Sequence, residues 1–304
     1  MWLPIALLGN GLLAIVGIID KFILTKSVPK PVVLVFYSTI FVLPLFLVLP
    51  FGLTVMPVIL IDYLIFVISG ICFAFGLWAM YLSVQKSEVS RMGPLIGALI
   101  PLFILFLGRI FLHEQLTSYA LLGVGLLIAG SLVMAFVRSA TSAAWDNGVQ
   151  WAVLAGLLFA VSHVSAKYAY DAYGFFSGLI FTKLPVGVFG ACLLLHPGVR
   201  SIFNTKKINT TKNKSKKSPL LLVAFNMVLG VAATILLQYA IALGSVSLVN
   251  ALAGVQYGLL IIFTMLLSKF FPKIIKEEFS AKQLVQKGLA VILIATGLFF
   301  LIFK

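Results

Sequence analysis

Charge is scarce in this sequence: 10% of its 304 residues are Asp, Glu, Lys or Arg, against 62% that are hydrophobic, and the mean hydropathy is +1.17. A chain of that composition cannot clothe a water-soluble fold in polar surface, so a soluble domain is excluded. Cysteine is nearly absent. Cys72 and Cys192 both lie in apolar stretches and offer neither a disulfide framework nor a CxxC metal pair. Three dispersed histidines and eight acids argue against an intramembrane enzyme, which needs such groups clustered on facing helices. No cofactor is implied, and no soluble module is expected at either end. What charge there is runs basic, with 22 Lys and Arg against 8 Asp and Glu, a formal +14. Those bases are scattered between hydrophobic runs, so the expected partner is anionic lipid headgroups and not nucleic acid.

Long hydrophobic runs are what the sequence has in abundance. A bilayer core about 30 Å thick needs about 20 apolar residues per helix. Runs of that length, divided by polar or Gly/Pro interruptions, place ten spans at 3–23, 31–52, 63–85, 89–112, 117–138, 149–170, 174–195, 219–243, 246–271 and 283–303. Barrel strands would alternate apolar and polar residues, and these runs do not, so they are expected to be helices. The first run has no basic residue before it and is too long for a secretory signal, and it reads as a retained span. Two connections are longer than the rest: 200–218, rich in Lys, Asn, Ser and Thr, and the charged 273–282. The first reads as a solvated disordered linker, with a docking surface for a partner or anionic lipid as the alternative. Its two glycosylation sequons, at Asn209 and Asn213, are of a kind that arises by chance in such composition.

The chain also resembles itself. VSRMGPLIGALIPLFILF from Val89 aligns with VSLVNALAGVQYGLLIIF from Val246, pairing Val89 with Val246, Ser90 with Ser247 and Gly97 with Gly254. The segment from Ile5 aligns likewise with that from Trp151, setting Lys21 opposite Lys167. Two five-helix repeats follow, 3–138 and 149–303. Five is odd, so the second repeat is expected to enter the membrane in the opposite sense, the architecture of transporters that alternate access around a midplane site.

Together with a short third-to-fourth connection leading into the Gly/Pro-containing stretch Ser87 to Pro101, and the LHEQLT turn at Leu112 to Thr117, these features resemble the drug/metabolite transporter superfamily in its ten-helix EamA-like branch. The resemblance spans nearly the whole chain. It departs from the family's Gly-Glu turn in having His113 where glycine is usual, and the insertion from Pro272 to Glu278 displaces the second-half counterpart. It implies an all-α multi-pass protein of the plasma membrane, a monomer or homodimer. It further implies a central cavity lined mainly by spans 1, 3, 4, 6, 8 and 9, and export or exchange of amino acids and other small metabolites.

Polar residues inside the spans are the candidate substrate contacts. Lys183 falls about ten positions into span 7, roughly 15 Å deep at 1.5 Å per residue, where inserting a lysine costs about 2.5–3.5 kcal/mol. It is expected to attract an anionic substrate group or to lock one conformation by pairing across the bundle, with snorkelling along a helix bent by Pro185 as the alternative. His163 and Lys167 share a face of span 6, and Asn10, Gly17 and Lys21 a face of span 1. An interhelical hydrogen bond is the alternative role for His163, and interfacial anchoring for the two lysines. Trp78, Tyr81 and Gln85 on span 3, and Asn250, Gln256 and Tyr257 on span 9, are expected cavity walls, with packing as the alternative for each. Gln238 is a weaker candidate in span 8. Gly93, Gly97, Gly254 and Gly258 form GxxxG spacings in the two matched spans and are assigned to close packing, with Pro94 and Pro101 as a gate or a static kink. Gly123, Gly125, Gly130, Gly288 and Gly297 are assigned to packing alone.

The acids Asp20, Asp62, Glu88, Glu114, Asp146, Asp171, Glu277 and Glu278 all fall at or beyond span ends. That leaves no mid-membrane carboxylate for a coupling ion and points to facilitated transport or exchange, not acid-coupled efflux. Basic residues gather in alternate connections: Lys26 and Lys30, Arg138, the 200–218 segment, and the linker before span 10. By the positive-inside rule both termini are then outside, opposite to the family's usual arrangement. The competing functional readings are an enzyme or flippase acting on lipid-linked substrates and a non-transporting membrane scaffold.

Overall fold

The computed structural model describes residues 1–26, 31–44, 57, 59–87, 89–136, 148–203, 218–270 and 281–302. Every regular element among them is helical, as the bilayer requires: with no water to receive backbone N–H and C=O groups, a helix satisfies them within one segment. The helices are α1 (Trp2–Lys26), α2 (Pro31–Ile40), α3 (Leu60–Lys86), α4 (Val89–Phe111), α5 (Ser118–Ala135), α6 (Gly148–Tyr173), α7 (Phe175–Cys192), α8 (Pro197–Phe203), α9 (Ser218–Leu243), α10 (Val246–Ala251), α11 (Ala253–Phe270) and α12 (Ala281–Ile302). Nine spans among the described residues are long and apolar enough to cross a membrane, and Pro31–Ile40 is a shorter apolar helix. An all-α membrane protein of about ten spans is what the sequence pattern predicts.

Three details differ from the expected spans. Span 9 is not one helix: it breaks at Leu252, leaving the six-residue α10 before α11. Ser245 caps α10 by accepting the Leu248 N–H at 3.0 Å. At the other end of α10 the Asn250 amide donates to the Val246 carbonyl at 2.9 Å, the side-chain competition with backbone bonding that weakens a helix interior. Its matched span, α4, carries two prolines and yet runs unbroken through Pro94 and Pro101. Finally, the segment read as a linker from residue 200 begins inside α8; residues 204–217, with both sequons, lie outside the described residues, as do Lys30, Glu88, Arg138, Asp146, Glu277 and Glu278.

The helices associate in antiparallel pairs. α1 lies along α9, with Gly9 against Leu237 and Trp2 against Gly244. α3 lies along α6, where Ser69 donates to the Ser162 carbonyl at 2.9 Å and Ser83 to that of Gly148 at 2.8 Å. α4 meets α10 and α11, α5 meets α12, and α2 meets α7 at the contact of Gly190 with Thr39. Small and large apolar residues share the core: Ala6, Ala14, Ala74, Ala152, Ala155 and Ala160 are fully enclosed beside Met92, Ile104, Leu127 and Leu252, while Leu60, Phe106, Phe111 and Val285 face outward. Lipid is as apolar as leucine, so burying a large side chain gains little, and helices approach where small residues let their backbones meet. Gly123, Gly130 and Gly297 sit at such approaches. Gly125 and Gly288, also assigned to packing, instead face open space, with nothing within 4 Å of where a Cβ would stand.

The turn after α4 explains why glycine is usual there. His113 has φ of 52°, a left-handed conformation costly for a residue with a side chain. In that conformation the Glu114 N–H reaches back to the Gly108 carbonyl at 3.1 Å and closes the helix end. The Glu114 carboxylate then accepts a hydrogen bond from Ser247, tying the turn to α10. Thr117 caps α5 by accepting the Ala120 N–H at 3.4 Å.

Candidate functional site

Two of the polar residues picked out along the chain meet directly. His163 Nδ1 and Asn250 Oδ1 are 2.7 Å apart, joining α6 to the broken helix. Because the Asn250 NH₂ is committed to the Val246 carbonyl, its oxygen faces the ring and Nδ1 must carry the proton. Nε2 takes no part in that bond. Single and double alanine replacements of His163 and Asn250 are expected to show a coupling of about 0.5–1.5 kcal/mol in unfolding equilibria. Strictly additive losses would mean that the bond is not formed.

Lys183 joins the same cluster through two aromatic rings. It is 6% exposed, and its Nζ lies 4.0 Å from the centroid of the Phe73 ring. Phe73 packs edge-on against Phe159 at 5.6 Å. Phe159 stacks in turn on His163, one turn along α6, at 6.3 Å. The ammonium has no carboxylate partner among the described residues. Two close contacts fix its position. Gly70 on α3 lets the Thr182 carbonyl come within 2.7 Å of where a methyl would stand, pressing α7 onto α3 one residue before Lys183. The Ser69 bond to the Ser162 carbonyl holds α6 in register one residue before His163. The result is a cation and a half-bonded imidazole at mid-helix depth, held between α3, α6, α7 and α10.

The other candidates lie elsewhere. Asn10 donates to the Ala6 carbonyl of its own helix at 2.8 Å and is 2% exposed. Trp78 and Tyr81 turn toward α2 and α7: Trp78 packs on Phe75, Phe189 and His196, and Tyr81 shares a hydrogen bond with Ser38 at 2.9 Å. Gln85 is exposed at the end of α3 and Gln256 is half-buried on α11. Tyr257 lodges its ring against Gly93 and Gly97, so closely that a methyl at Gly97 would stand 2.1 Å from it. A methyl at Gly254 would stand 3.1 Å from Ser131 Oγ and 3.2 Å from the Leu127 carbonyl, whereas one at Gly258 would meet only Ile294, at 3.8 Å. Gln238 accepts from Tyr170 at 2.7 Å in the core. Lys167 pairs with Asp171 at 2.7 Å near the end of α6; the Lys21 side chain lies outside the described residues.

Sequence reasoning missed three features. Phe73 and Phe159 carry no polar signal, being two of 26 phenylalanines. Asp62, in the first turn of α3, is buried and accepts from Tyr168 at 2.8 Å and from Tyr173. Asp20, placed at a span end by the apolar pattern, lies within α1, six residues before its last residue, and accepts from Asn226 of α9 at 2.7 Å. Asn226 stands in span 8 after seven apolar residues, and its partner Asp20 is 206 positions away in the chain.

No curated protein matches the chain. Among solved structures 27 chains match. One, a crystal structure, has a TM-score of 0.64 over 98% of this chain and 96% of its own at 16% identity, a likeness of fold. Residues 1–136 match the model of the EamA-like transporter family. The nine apolar spans among the described residues make this a multi-pass membrane protein, and its residues 1–136 are similar to the EamA-like transporter family.

Proposed function

We propose that this protein moves small polar metabolites, amino acids or related compounds bearing an anionic group, across the plasma membrane by alternating access between two inverted five-helix halves, in export or exchange. The observation that carries the reading is the Lys183 ammonium, enclosed at mid-helix depth on an aromatic ring without a described acidic partner. A lysine kept there at a cost of about 2.5–3.5 kcal/mol is a site for a substrate anion. The adjoining His163 Nε2 supplies a neutral polar contact, and Phe73 and Phe159 an apolar wall. Support for the two-halves reading comes from the helix pairing, in which spans 1 and 8 mirror spans 6 and 3. Beside Asn250 the helical bonding tightens for one turn, the Val255 N–H donating to the Leu252 carbonyl at 2.9 Å.

For orientation we propose that both termini are outside. Asp62, Glu114 and Asp171 lie at the end of the bundle where the chain begins, with Arg109 and Lys167 among them. Lys86, Arg91 and Arg200 lie at the opposite end. The transport reading is tested by counterflow into liposomes holding the purified protein, preloaded in turn with pooled amino acids, nucleosides, sugars and organic anions. Labelled exchange above protein-free liposomes is expected for a pool whose members carry a carboxylate or similar anion. Absence of exchange for every pool overturns the reading.

A further inference from the structure

Asn226 is 2% exposed, and its Oδ1 is the one buried side-chain oxygen or nitrogen among the described residues that lacks a hydrogen-bond partner. Leaving such an acceptor empty is costly, the more so where water is excluded. Its amide nitrogen is already engaged, donating to Asp20 Oδ1 at 2.7 Å. The empty acceptor therefore belongs to the same amide that holds a carboxylate on the neighbouring helix, and an ionised Asp20 has no donor to offer it. A protonated one does. We infer that Asp20 and Asn226 form a proton-binding site in which the Asp20 carboxyl and the Asn226 amide close a cyclic acid–amide pair across α1 and α9.

In that pair the Asn226 N–H donates to the carboxyl oxygen Oδ1, and the new O–H on Asp20 Oδ2 donates to Asn226 Oδ1. Both groups are then satisfied and no net charge remains between the helices. The proton comes from water on the side to which the site opens and adds to the carboxylate, with no other bond broken. A metal cation fits less well: a hard cation gathers about six oxygen ligands, and here the carboxylate and one amide oxygen stand together while the nearby Tyr81 and Ser38 hydroxyls are bonded to each other at 2.9 Å. The other groups facing Asp20 are few. Tyr81 on α3 feels its charge. On α9 the described segment from Ala224 to Leu243 carries no charged residue. On α11 the one titratable group with a described side chain is Tyr257, which is turned toward Gly93 and Gly97, and on α10 there is none. Lys21 and Lys269 have side chains outside the described residues.

Coupling of this proton to substrate movement rests on the transporter reading above; the binding site itself does not. The test is a set of infrared difference spectra, taken between about pH 4 and about pH 9, on the full chain in liposomes. A carboxylic-acid carbonyl band that titrates in this range is expected in the unaltered protein and is lost in Asp20→Asn. In Asn226→Leu the same band moves to higher frequency, because the acid carbonyl has lost its donor. Should Asp20→Asn fail to insert, the Asn226→Leu shift decides alone. A band unchanged in a folded Asp20→Asn protein, or a frequency unmoved by Asn226→Leu, overturns the proposal. So does displacement of the band when sodium replaces choline at constant pH and ionic strength, which assigns the site to a metal cation. If the band behaves as expected while no metabolite pool supports counterflow, the transporter reading fails and the proton site stands. Counterflow without the band overturns the proton site and leaves the transporter reading in place.

Discussion

Lys183→Ala is expected to insert and fold at least as well as the unaltered protein and to lose counterflow of anionic metabolites by about 10-fold to about 140-fold. Both halves of that expectation follow from where the ammonium sits. It is 6% exposed and rests on the Phe73 ring with no carboxylate partner among the described residues. Removing a mid-membrane lysine relieves an insertion cost of about 2.5–3.5 kcal/mol, less whatever the ring contact returns, about 0.5–2 kcal/mol. A charged contact to substrate contributes about 1.5–3 kcal/mol, which at about 1.4 kcal/mol per decade gives the stated loss. Stability and activity therefore move in opposite directions, a pattern that a purely structural lysine does not produce. Lys183→Met, which keeps the volume and drops the charge, is expected to behave in the same way. Thermal unfolding in detergent and counterflow from the same preparation measure the two sides. Unchanged transport kinetics in both variants would remove Lys183 from the site.

Gly297→Val is expected to be strongly destabilising, by about 3 kcal/mol or more. A methyl at Gly297 would stand 2.8 Å from the Gly123 carbonyl oxygen and 3.0 Å from the Leu127 nitrogen, and one at Gly123 would stand 2.9 Å from the Gly297 carbonyl. These are backbone atoms on both sides, so no side-chain rotation can relieve the clash and α5 must separate from α12 along its length. Overpacking a core costs about 1–3 kcal/mol when side chains can yield; here they cannot. Gly125, two residues from Gly123, provides the control. Nothing lies within 4 Å of a methyl placed there, so Gly125→Ala is expected to stabilise the helix by about 0.5–1 kcal/mol. Similar melting temperatures for Gly297→Val and Gly125→Ala would show that α5 and α12 are not held in backbone contact at these glycines.

The membrane class, the helices and the approximate spans were legible in the chain because a bilayer asks for one thing that composition reports directly, about 20 apolar residues with their backbone bonded internally. Lys183, His163 and Asn250 stood out for a related reason: a polar side chain in an apolar run is costly and needs a partner or a purpose. What the sequence could not carry was the rotation of each helix. In water an amphipathic stripe announces the buried face, but here the outward-facing Leu60 and Phe106 are as apolar as the fully enclosed Leu127 and Ile104. Trp78 and Tyr81 are expected cavity walls, and their neighbours, Phe189 of α7 and Ser38 of α2, could not be read from the apolar pattern. Asn226 and Asp20, 206 positions apart, became neighbours only once α1 and α9 had packed. The break at Leu252 has no proline to mark it; it coincides with a side-chain amide bonded to its own helix and to His163 of another. Composition and spacing determined which segments enter the bilayer. Close backbone contacts at small residues decided which faces meet, and so which polar groups share a site.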